Sequence, residues 1–164
     1  RIYTILQLRL HPMLANLKNE LQTSSVDLHD VYIEYHTPRG KWYHKSWKGD
    51  VGKSGGIAAN IGIHLFDMAT WLFGEVSDVF VEENTSTYCK GSLKLKQANL
   101  NFKLSIDRGR SAKRQIIVDG KAYEFTEGFA DLHTASYQEI LNNIGFTIND
   151  VKPSVDIVEK IRNL

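Results

Sequence analysis

The sequence has little that would cross-link a fold or place it in a membrane. Its 164 residues include a single cysteine, Cys89, so no disulfide can form within the chain. No apolar run approaches the roughly 20 residues that a membrane-spanning helix needs, and no signal peptide is visible. We therefore expect a globular, cytoplasmic protein without a membrane-spanning segment, in which Cys89 is a structural or idle thiol.

An excess of one charge is also missing. Twenty basic and nineteen acidic side chains leave a formal net charge of +1, which provides no electrostatic basis for binding nucleic acid or an anionic membrane. The six histidines are scattered, and none is paired with another histidine or with the cysteine at the spacing typical of zinc ligands. We predict no nucleic acid partner and no metal site.

A dinucleotide-binding fingerprint is absent as well. No predicted strand leads through a G-x-G-x-x-G turn into a helix, which is how a Rossmann domain holds the pyrophosphate of its cofactor. The length suits one domain with its own core. Residues 2–9 already have a strand-like pattern at the very start, so we expect the sequence to be part of a longer protein.

The pattern of the remaining residues predicts more strands than helices. Helices are predicted over residues 12–21, beginning at Pro12, and over residues 57–73 and 131–142. A final helix, with Pro153 in its first turn, is predicted to run to the end of the sequence. Residues 41–47 are predicted to be extended, and Asp119-Gly120 is typical of a tight hairpin turn. Further strands are predicted over residues 30–36, 76–87, 92–97, 99–107, 113–118 and 121–126. The expected fold class is α+β: an open, mostly antiparallel or mixed sheet with helices on one face.

The helix predicted over residues 57–73 carries the strongest chemical signal. At about 100° per residue, its apolar residues form one stripe, and Asn60, His64, Asp67 and Trp71 form a narrow second stripe beside it. Histidine transfers protons near neutral pH, the carboxylate one turn later is placed to orient the ring, and the amide one turn earlier suits a substrate hydroxyl. The alternative is that this stripe is only the polar edge of an amphipathic helix.

A glycine-rich loop precedes that helix. Gly55 and Gly56 would let a ligand approach the backbone closely at the helix start, which favours negative charge. Lys53 in the same loop is suited to pairing with a carboxylate or a phosphate.

The run from Lys53 to Asp67, KSGGIAANIGIHLFD, resembles the G-G-x-x-x-[DN]-x-G-x-H-x-x-D signature of the glucose–fructose oxidoreductase / inositol dehydrogenase / rhizopine-catabolism (Gfo/Idh/MocA) family. In that family the motif lies on a helix of the C-terminal domain and faces the nicotinamide and the sugar. The N-terminal domain is a Rossmann fold with a Glu-Lys-Pro motif whose lysine is a catalytic candidate. The resemblance implies that residues 1–164 are a single C-terminal domain, with the Rossmann domain outside this sequence.

Three further runs, QLRLHP at 7–12, WKGD at 47–50 and GFADLHTASY at 128–137, resemble one subgroup of the family. This subgroup is the bacterial UDP-N-acetylglucosaminuronate 3-dehydrogenases of lipopolysaccharide O-antigen synthesis. The resemblance implies a nucleotide-sugar substrate, NAD or NADP as cofactor, and a homo-oligomer formed through the sheet. The isolated domain would be inactive.

The resemblance also assigns roles to individual residues. His64 would be the catalytic proton-transfer group, Asp67 would orient it, and Asn60 and Lys53 would bind substrate. On the first strand, Gln7 and Arg9 would reach the same cleft as further substrate contacts. Gly55 and Gly56 would lie against the cofactor.

Two pairs of side chains near these motifs are open to more than one interpretation. His133 and Tyr137 share a helical face, and we expect them to pack rather than line the pocket. Trp42 and Trp47 are expected to cover apolar surface, although stacking on a nucleotide base remains an alternative.

Two other function classes stay open on the sequence. One is a ligand-binding or oligomerisation module without chemistry. The other is a hydrolase using His64 and Asp67, which the sequence disfavours because no serine or cysteine nucleophile lies in a recognisable elbow.

Overall fold

A computed structural model describes residues 1–163 and shows a six-stranded sheet in the order β2-β3-β4-β1-β5-β6. The strand bounds are β1 His29–His36, β2 Val76–Asn84, β3 Tyr88–Leu95, β4 Ala98–Ser105, β5 Lys113–Val118 and β6 Lys121–Glu124. Strands β1 and β4 pair in parallel, from His29 opposite Ala98 to His36 opposite Ser105, and the other neighbours are antiparallel. The predicted mixed α+β sheet is confirmed.

One face of this sheet is covered and the other is open. Along β1, Val31 and Ile33 are fully buried, whereas Tyr32 between them is exposed, as the two-residue period of a strand requires. The helices lie on the covered face. Their bounds are α1 Pro12–Gln22, α2 Lys41–Lys45, α3 Val51–Ser54, α4 Ile63–Phe73, α5 Leu132–Leu141 and α6 Ile148–Arg162.

Several local predictions are confirmed. Pro12 is the first residue of α1, a position where its missing N–H leaves no gap in the hydrogen bonding. Asp119 and Gly120 join β5 to β6 with φ of +50° and +82°, the left-handed pair that a two-residue hairpin turn needs. Cys89 is free and fully buried in β3, and burial raises the pKa of its thiol to about 11, as suits an idle thiol.

Two predicted strands are wrong. At the start, Gln7–Leu10 is a 3₁₀ helix, and Tyr3 contributes only an isolated bridge to Thr147. Residues 41–47, predicted to be extended, contain α2 and the beginning of a 3₁₀ turn, Trp47–Gly49. Both segments are short, and β-branched and aromatic residues favour strands only where a neighbouring strand is available for pairing.

The final helix begins earlier than predicted. Thr147 caps it: its backbone N–H donates to the Asp150 carboxylate at 2.7 Å, and the two side chains form a capping box. Pro153 therefore lies in the second turn of α6 rather than the first. No helix among residues 1–163 is both long enough and apolar enough to cross a membrane.

Candidate active site

The glycine-rich loop leads into the candidate site through a short, well-capped helix. Asp50 caps α3 by accepting hydrogen bonds from the backbone N–H groups of Gly52 and Lys53 at 3.0 and 3.3 Å. Gly55 ends α3 at φ +77°, and a methyl group there would lie 2.8 Å from the Ala59 side chain. Glycine is therefore required for the tight turn itself.

The predicted cofactor contacts at Gly55 and Gly56 gain no support from their hydrogen bonding. The N–H of Gly55 donates to the Val51 carbonyl at 2.9 Å, and the N–H of Gly56 donates to Ser54 Oγ at 3.1 Å. Both amides are thus used within the chain, and the turn alone explains both positive φ angles. That these glycines touch the cofactor stays a prediction.

The long helix predicted over residues 57–73 forms, but it begins with an irregular turn. Ala58–Gly62 is π-helical and continues directly into α4. A π turn inserts one extra residue, which rotates the residues before it by about 100° relative to those after it. Gly74 ends α4 with φ +88° and ψ −165°, a backbone conformation that favours glycine.

Asn60 lies inside the π turn, and its amide nitrogen is engaged by the backbone. The Nδ2 group donates to the Gly56 carbonyl at 3.0 Å and to the Lys48 carbonyl at 3.4 Å. Its Oδ1 takes no hydrogen bond from the described residues. As a predicted substrate contact, Asn60 therefore offers an acceptor for a hydroxyl, while its donors fix the loop to the helix.

His64 is a partly buried imidazole without a hydrogen-bond partner among residues 1–163. Burial lowers its pKa, and the nearby positive charges of His133 and Arg39 lower it further. A ring of this kind is neutral at physiological pH, so one nitrogen is available as a proton acceptor. Among the predicted site residues, His64 has the clearest capacity for acid–base chemistry.

Asp67 does not orient His64, and the predicted pairing of the two side chains is wrong. The carboxylate of Asp67 is 1% exposed and is bound in bidentate fashion by Arg9, whose Nε and Nη2 donate to Oδ2 and Oδ1 at 3.1 and 2.6 Å. Burial raises the pKa of Asp67, and the Arg9 guanidinium opposes that rise. The hydrolase alternative, which needs a His64–Asp67 pair, loses its geometric basis.

Arg9 consequently has a structural role, and its predicted contact with substrate stays a prediction. Beyond Asp67, its Nη2 donates to the Asp150 carbonyl at 3.0 Å, and the guanidinium lies 5.1 Å from the centre of the Phe146 ring. These contacts join the 3₁₀ helix Gln7–Leu10 to α4 and to the start of α6. Its Nε and Nη2 donors are thus occupied by the protein itself, while Nη1 makes only an ion-pair contact, 3.8 Å from Asp150 Oδ1.

The other two predicted substrate contacts remain free to bind. Lys53 is highly exposed, and its only ionic neighbour among residues 1–163 is Asp50, 3.4 Å away. Gln7 places its Oε1 in a buried position without a hydrogen-bond partner in the described part of the chain. Their roles stay predictions.

Side chains that we expected to pack are instead exposed. His133 and Tyr137 both project from α5 into solvent, and the charge of His133 reaches His64. Trp42 and Trp47 are 56% and 57% exposed, so they cover little apolar surface of this chain. The packing interpretation is wrong for both pairs, and His133 joins the candidate site.

Arg39 is the site residue that no sequence pattern indicated. It lies in the loop between β1 and α2. Its charge acts on His64 and on the hydroxyl of Tyr43. Nothing in the sequence relates Arg39 to a helix 25 positions later, because that proximity comes from the packing of the loop against the helix.

The cavities found in the described residues do not by themselves define this site. One is a groove between β2 and α6 and includes none of the predicted site residues. A smaller one is lined by Gly55 and Gly56 together with Arg162 and the turn between β2 and β3. His64 and Arg39 border neither of these two cavities.

Comparison with known proteins agrees with this picture. A family model described as "Oxidoreductase family, C-terminal alpha/beta domain" matches residues 27–89. The WlbA (WbpB) dehydrogenase of Thermus thermophilus, solved in complex with NAD and alpha-ketoglutarate, is 44% identical with a TM-score of 0.94, covering 100% of this chain and 56% of that chain. The same enzyme, solved with NAD and UDP-GlcNAcA, gives 43% identity, a TM-score of 0.94 and the same coverage.

A more distant structure shares the fold alone. The WlbA dehydrogenase of Bordetella pertussis, in complex with NADH and UDP-GlcNAcA, is 15% identical with a TM-score of 0.74, covering 99% of this chain and 61% of that chain. The chain thus spans little more than half the length of the structures it matches.

Proposed function

We propose that this chain is a member of the Gfo/Idh/MocA oxidoreductase family and that it forms the substrate-binding half of an NAD(P)-dependent dehydrogenase. The proposed reaction is oxidation of the 3-hydroxyl of a UDP-N-acetyl-hexuronic acid to a ketone. The Thermus relative at 43% identity binds UDP-GlcNAcA and NAD, and the similarity covers the whole of this chain. That activity would serve lipopolysaccharide O-antigen synthesis, as the sequence resemblance implies.

The observation that carries this proposal is the state of His64. A partly buried imidazole with no protein partner and a lowered pKa is neutral at physiological pH. It would accept the proton of the sugar hydroxyl, while the acceptor oxygen of Asn60 holds a neighbouring hydroxyl of the ring. When bound, the nicotinamide supplies the hydride acceptor, so the alcohol loses a hydride to the cofactor and a proton to His64.

A cofactor-binding domain of the same protein would complete the cleft. The first residues of the chain lie beside the connection from α5 to α6, to which they are joined by the Tyr3–Thr147 bridge. Several large apolar side chains are exposed at this place. They are Ile2, Leu141, Ile144 and Ile148, which are between 52% and 80% exposed. An apolar surface of this kind is suited to packing against another domain, and we assign it to a dinucleotide-binding Rossmann domain.

The open face of the sheet is the second proposed contact surface. Phe80 on β2 is 62% exposed and is opposite Ser92, while Tyr32, opposite Asn101, lies on the same face three strands further, on β1. We assign this face to homo-oligomer formation, which sedimentation velocity would reveal as a species larger than one chain. The free, buried Cys89 is compatible with the reducing cytoplasm that we propose as its location.

The proposal is tested by replacing His64 in the full-length gene product. We expect His64→Ala to lower the turnover of UDP-GlcNAcA with NAD by about 100-fold or more, because the proton acceptor is lost. Turnover is followed by the absorbance of reduced nicotinamide, and the unfolding midpoint by circular dichroism. The matched control is His29→Asn at the first residue of β1, where the imidazole is paired with Asp119.

Two results would contradict the proposal. Wild-type protein that reduces neither NAD nor NADP with any UDP-uronic acid would leave the non-catalytic binding module as the better function. Full turnover in a folded His64→Ala protein would remove His64 from the reaction and leave a lysine of the companion domain as the base.

A further inference from the structure

Arg39 combines a fixed backbone with an unsatisfied side chain. Its N–H donates to the Ile106 carbonyl at 3.1 Å, and its own carbonyl accepts from Arg108 Nε at 3.1 Å, so the loop position is set from both sides. The side chain is partly buried, and its Nε is inaccessible to solvent and has no hydrogen-bond partner among residues 1–163. No carboxylate of the described residues lies within 4.0 Å of the guanidinium.

A second buried donor without a partner lies four residues further along. The Tyr43 side chain is 2% exposed. Burial raises the pKa of Tyr43, and the Asn60 amide, which interacts with the hydroxyl oxygen, opposes that rise, while the O–H itself has no acceptor among residues 1–163. The backbone N–H of Tyr43 donates to the Gly40 carbonyl at 3.0 Å, which holds both residues on one tight segment. Buried donors are almost always satisfied in native proteins, so two unsatisfied ones on one segment indicate that a ligand supplies the acceptor.

The surroundings of these donors favour an anion. Besides the effect of burial, the charge of Arg39 acts to lower the pKa values of His64 on α4 and of the tyrosines Tyr35 on β1 and Tyr43 on α2, and His133 on α5 also lowers the pKa of His64. No acidic side chain acts on His64 from the described residues. No ion pair within residues 1–163 thus neutralises the Arg39 guanidinium, and a planar guanidinium is best matched by a carboxylate or a phosphate.

Two ligands bound by the Thermus enzyme favour a carboxylate over a phosphate as the anion. One structure contains alpha-ketoglutarate and the other UDP-GlcNAcA. Of these two ligands, which are bound in addition to NAD, only UDP-GlcNAcA contains phosphate, whereas both contain a carboxylate. Resting on the proposed function, we propose that Arg39, assisted by the Tyr43 hydroxyl, binds the ligand carboxylate and selects uronic acids over neutral sugars.

The test measures binding to the full-length protein by calorimetry for Arg39→Gln, Arg39→Lys and the wild type. We expect Arg39→Gln to weaken UDP-GlcNAcA and alpha-ketoglutarate by about tenfold to hundredfold, the loss typical of a charge-assisted hydrogen bond pair. UDP-GlcNAc, which keeps the pyrophosphate and lacks the carboxylate, should bind within about twofold of the wild-type value, since the carboxylate contact is the one removed. Arg39→Lys should recover part of the loss, because lysine keeps the charge without the planar fork.

The matched control is Lys41→Gln, an exposed cation in the same segment, which should leave all three ligands unaffected. Unfolding midpoints close to that of the wild type establish that each variant is folded. A misfolded Arg39→Gln would be replaced by Tyr43→Phe, which should weaken the two carboxylate ligands alone by a smaller factor.

The outcomes separate this proposal from the proposed function. Equal weakening of UDP-GlcNAcA and UDP-GlcNAc would assign Arg39 to the pyrophosphate and overturn the carboxylate role, as would unchanged binding of all ligands. A wild type that binds alpha-ketoglutarate through Arg39 but oxidises no UDP-uronic acid would refute the dehydrogenase function alone. A wild type that binds neither carboxylate ligand would overturn both.

Discussion

His64 and Asp67 lie one turn apart at the start of α4, yet the fold surrounds them differently. The carboxylate of Asp67 is buried and held by two hydrogen bonds from Arg9. The imidazole of His64 has no hydrogen-bond partner among residues 1–163, and the charges that act on it are repulsive to its protonated form. A saturated polar group stabilises the fold, whereas a polar group left unpaired is available to a ligand.

The largest expected effect is a loss of stability when the ion pair between Arg9 and Asp67 is broken. Arg9→Met leaves Asp67 as an uncompensated carboxylate at 1% exposure, so we expect the free energy of unfolding to fall by about 3–5 kcal/mol. Urea denaturation of the protein measures this loss. The double variant Arg9→Met/Asp67→Leu should regain most of it, because no unpaired buried charge remains.

The exposed Arg110 provides the matched control for this experiment, since Arg110→Met should change the unfolding free energy by less than about 0.5 kcal/mol. A loss below about 1 kcal/mol in Arg9→Met would mean that the Arg9–Asp67 pair is no stronger than a surface ion pair. The contrast between Asp67 and His64 would then disappear.

A smaller effect should follow from removing a repulsive neighbour of the unpaired imidazole. His133 lowers the pKa of His64, so His133→Ala should let that pKa rise. Activity that needs neutral His64 is lost as pH falls through this pKa, and the loss would therefore begin at a higher pH in the variant. The acid limb of the pH profile of kcat/KM in the full-length enzyme measures the shift.

Tyr137→Ala is the control for His133→Ala, because Tyr137 is exposed on the same face of α5 and carries no positive charge. An acid limb that moves to lower pH, or stays in place, in His133→Ala would show that His133 does not act on His64. The free energy of unfolding should depend on pH in the same direction as activity. Because the pKa of His64 is lowered in the folded protein, its contribution to that free energy is complete above the unfolded pKa and is lost as the pH falls.

The smallest effect is expected on stability when His29 is replaced, a histidine that does have a hydrogen-bond partner. His29 Nδ1 lies 2.6 Å from a carboxylate oxygen of Asp119, and the hydrogen bond from His29 lowers the pKa of Asp119, aided by the N–H of Asp30. His29→Asn should lower the unfolding free energy by about 1 kcal/mol or less, since the Asp119 side chain is 42% exposed and screened by solvent. Turnover should be unchanged.

The pH dependence of His29→Asn gives a second check. With a lowered folded-state pKa, Asp119 contributes stability above its unfolded pKa of about 3.9 and loses it as the solution is acidified through the folded value. The difference between wild type and variant should therefore shrink in acid, as followed by urea midpoints at neutral and acidic pH. A His29→Asn protein with reduced turnover would place His29 in the reaction and weaken the contrast with His64.

Much of the fold could be predicted because its signals are local. The alternation of Val31, Tyr32 and Ile33 predicts a half-buried strand, and Asp119-Gly120 predicts a hairpin, since each pattern reflects the conformation of neighbouring residues. The segments that failed, residues 2–9 and 41–47, lack such a signal. Their apolar and aromatic residues are compatible with a strand or with a short helix, and packing decided between them.

The candidate site was predictable only in part. The spacing from Asn60 to Asp67 correctly placed three polar residues on one helix, but it could not show the π turn, because that turn depends on how the helix packs at its start. Nor could it show that Arg9, 58 positions before Asp67, takes the carboxylate. Arg39 and His133 approach His64 only after the loop and α5 have packed around α4.

By itself, the sequence determined the α+β class, the family signature on the central helix, and His64 as the candidate proton acceptor, because these depend on residue type and on spacing along the chain. Only the tertiary structure decided which polar side chains are paired with one another and which are left for a ligand. The reason is physical: hydrogen bonds and ion pairs act over a few ångströms, and contacts between residues distant in the chain exist only once the sheet and helices have packed together.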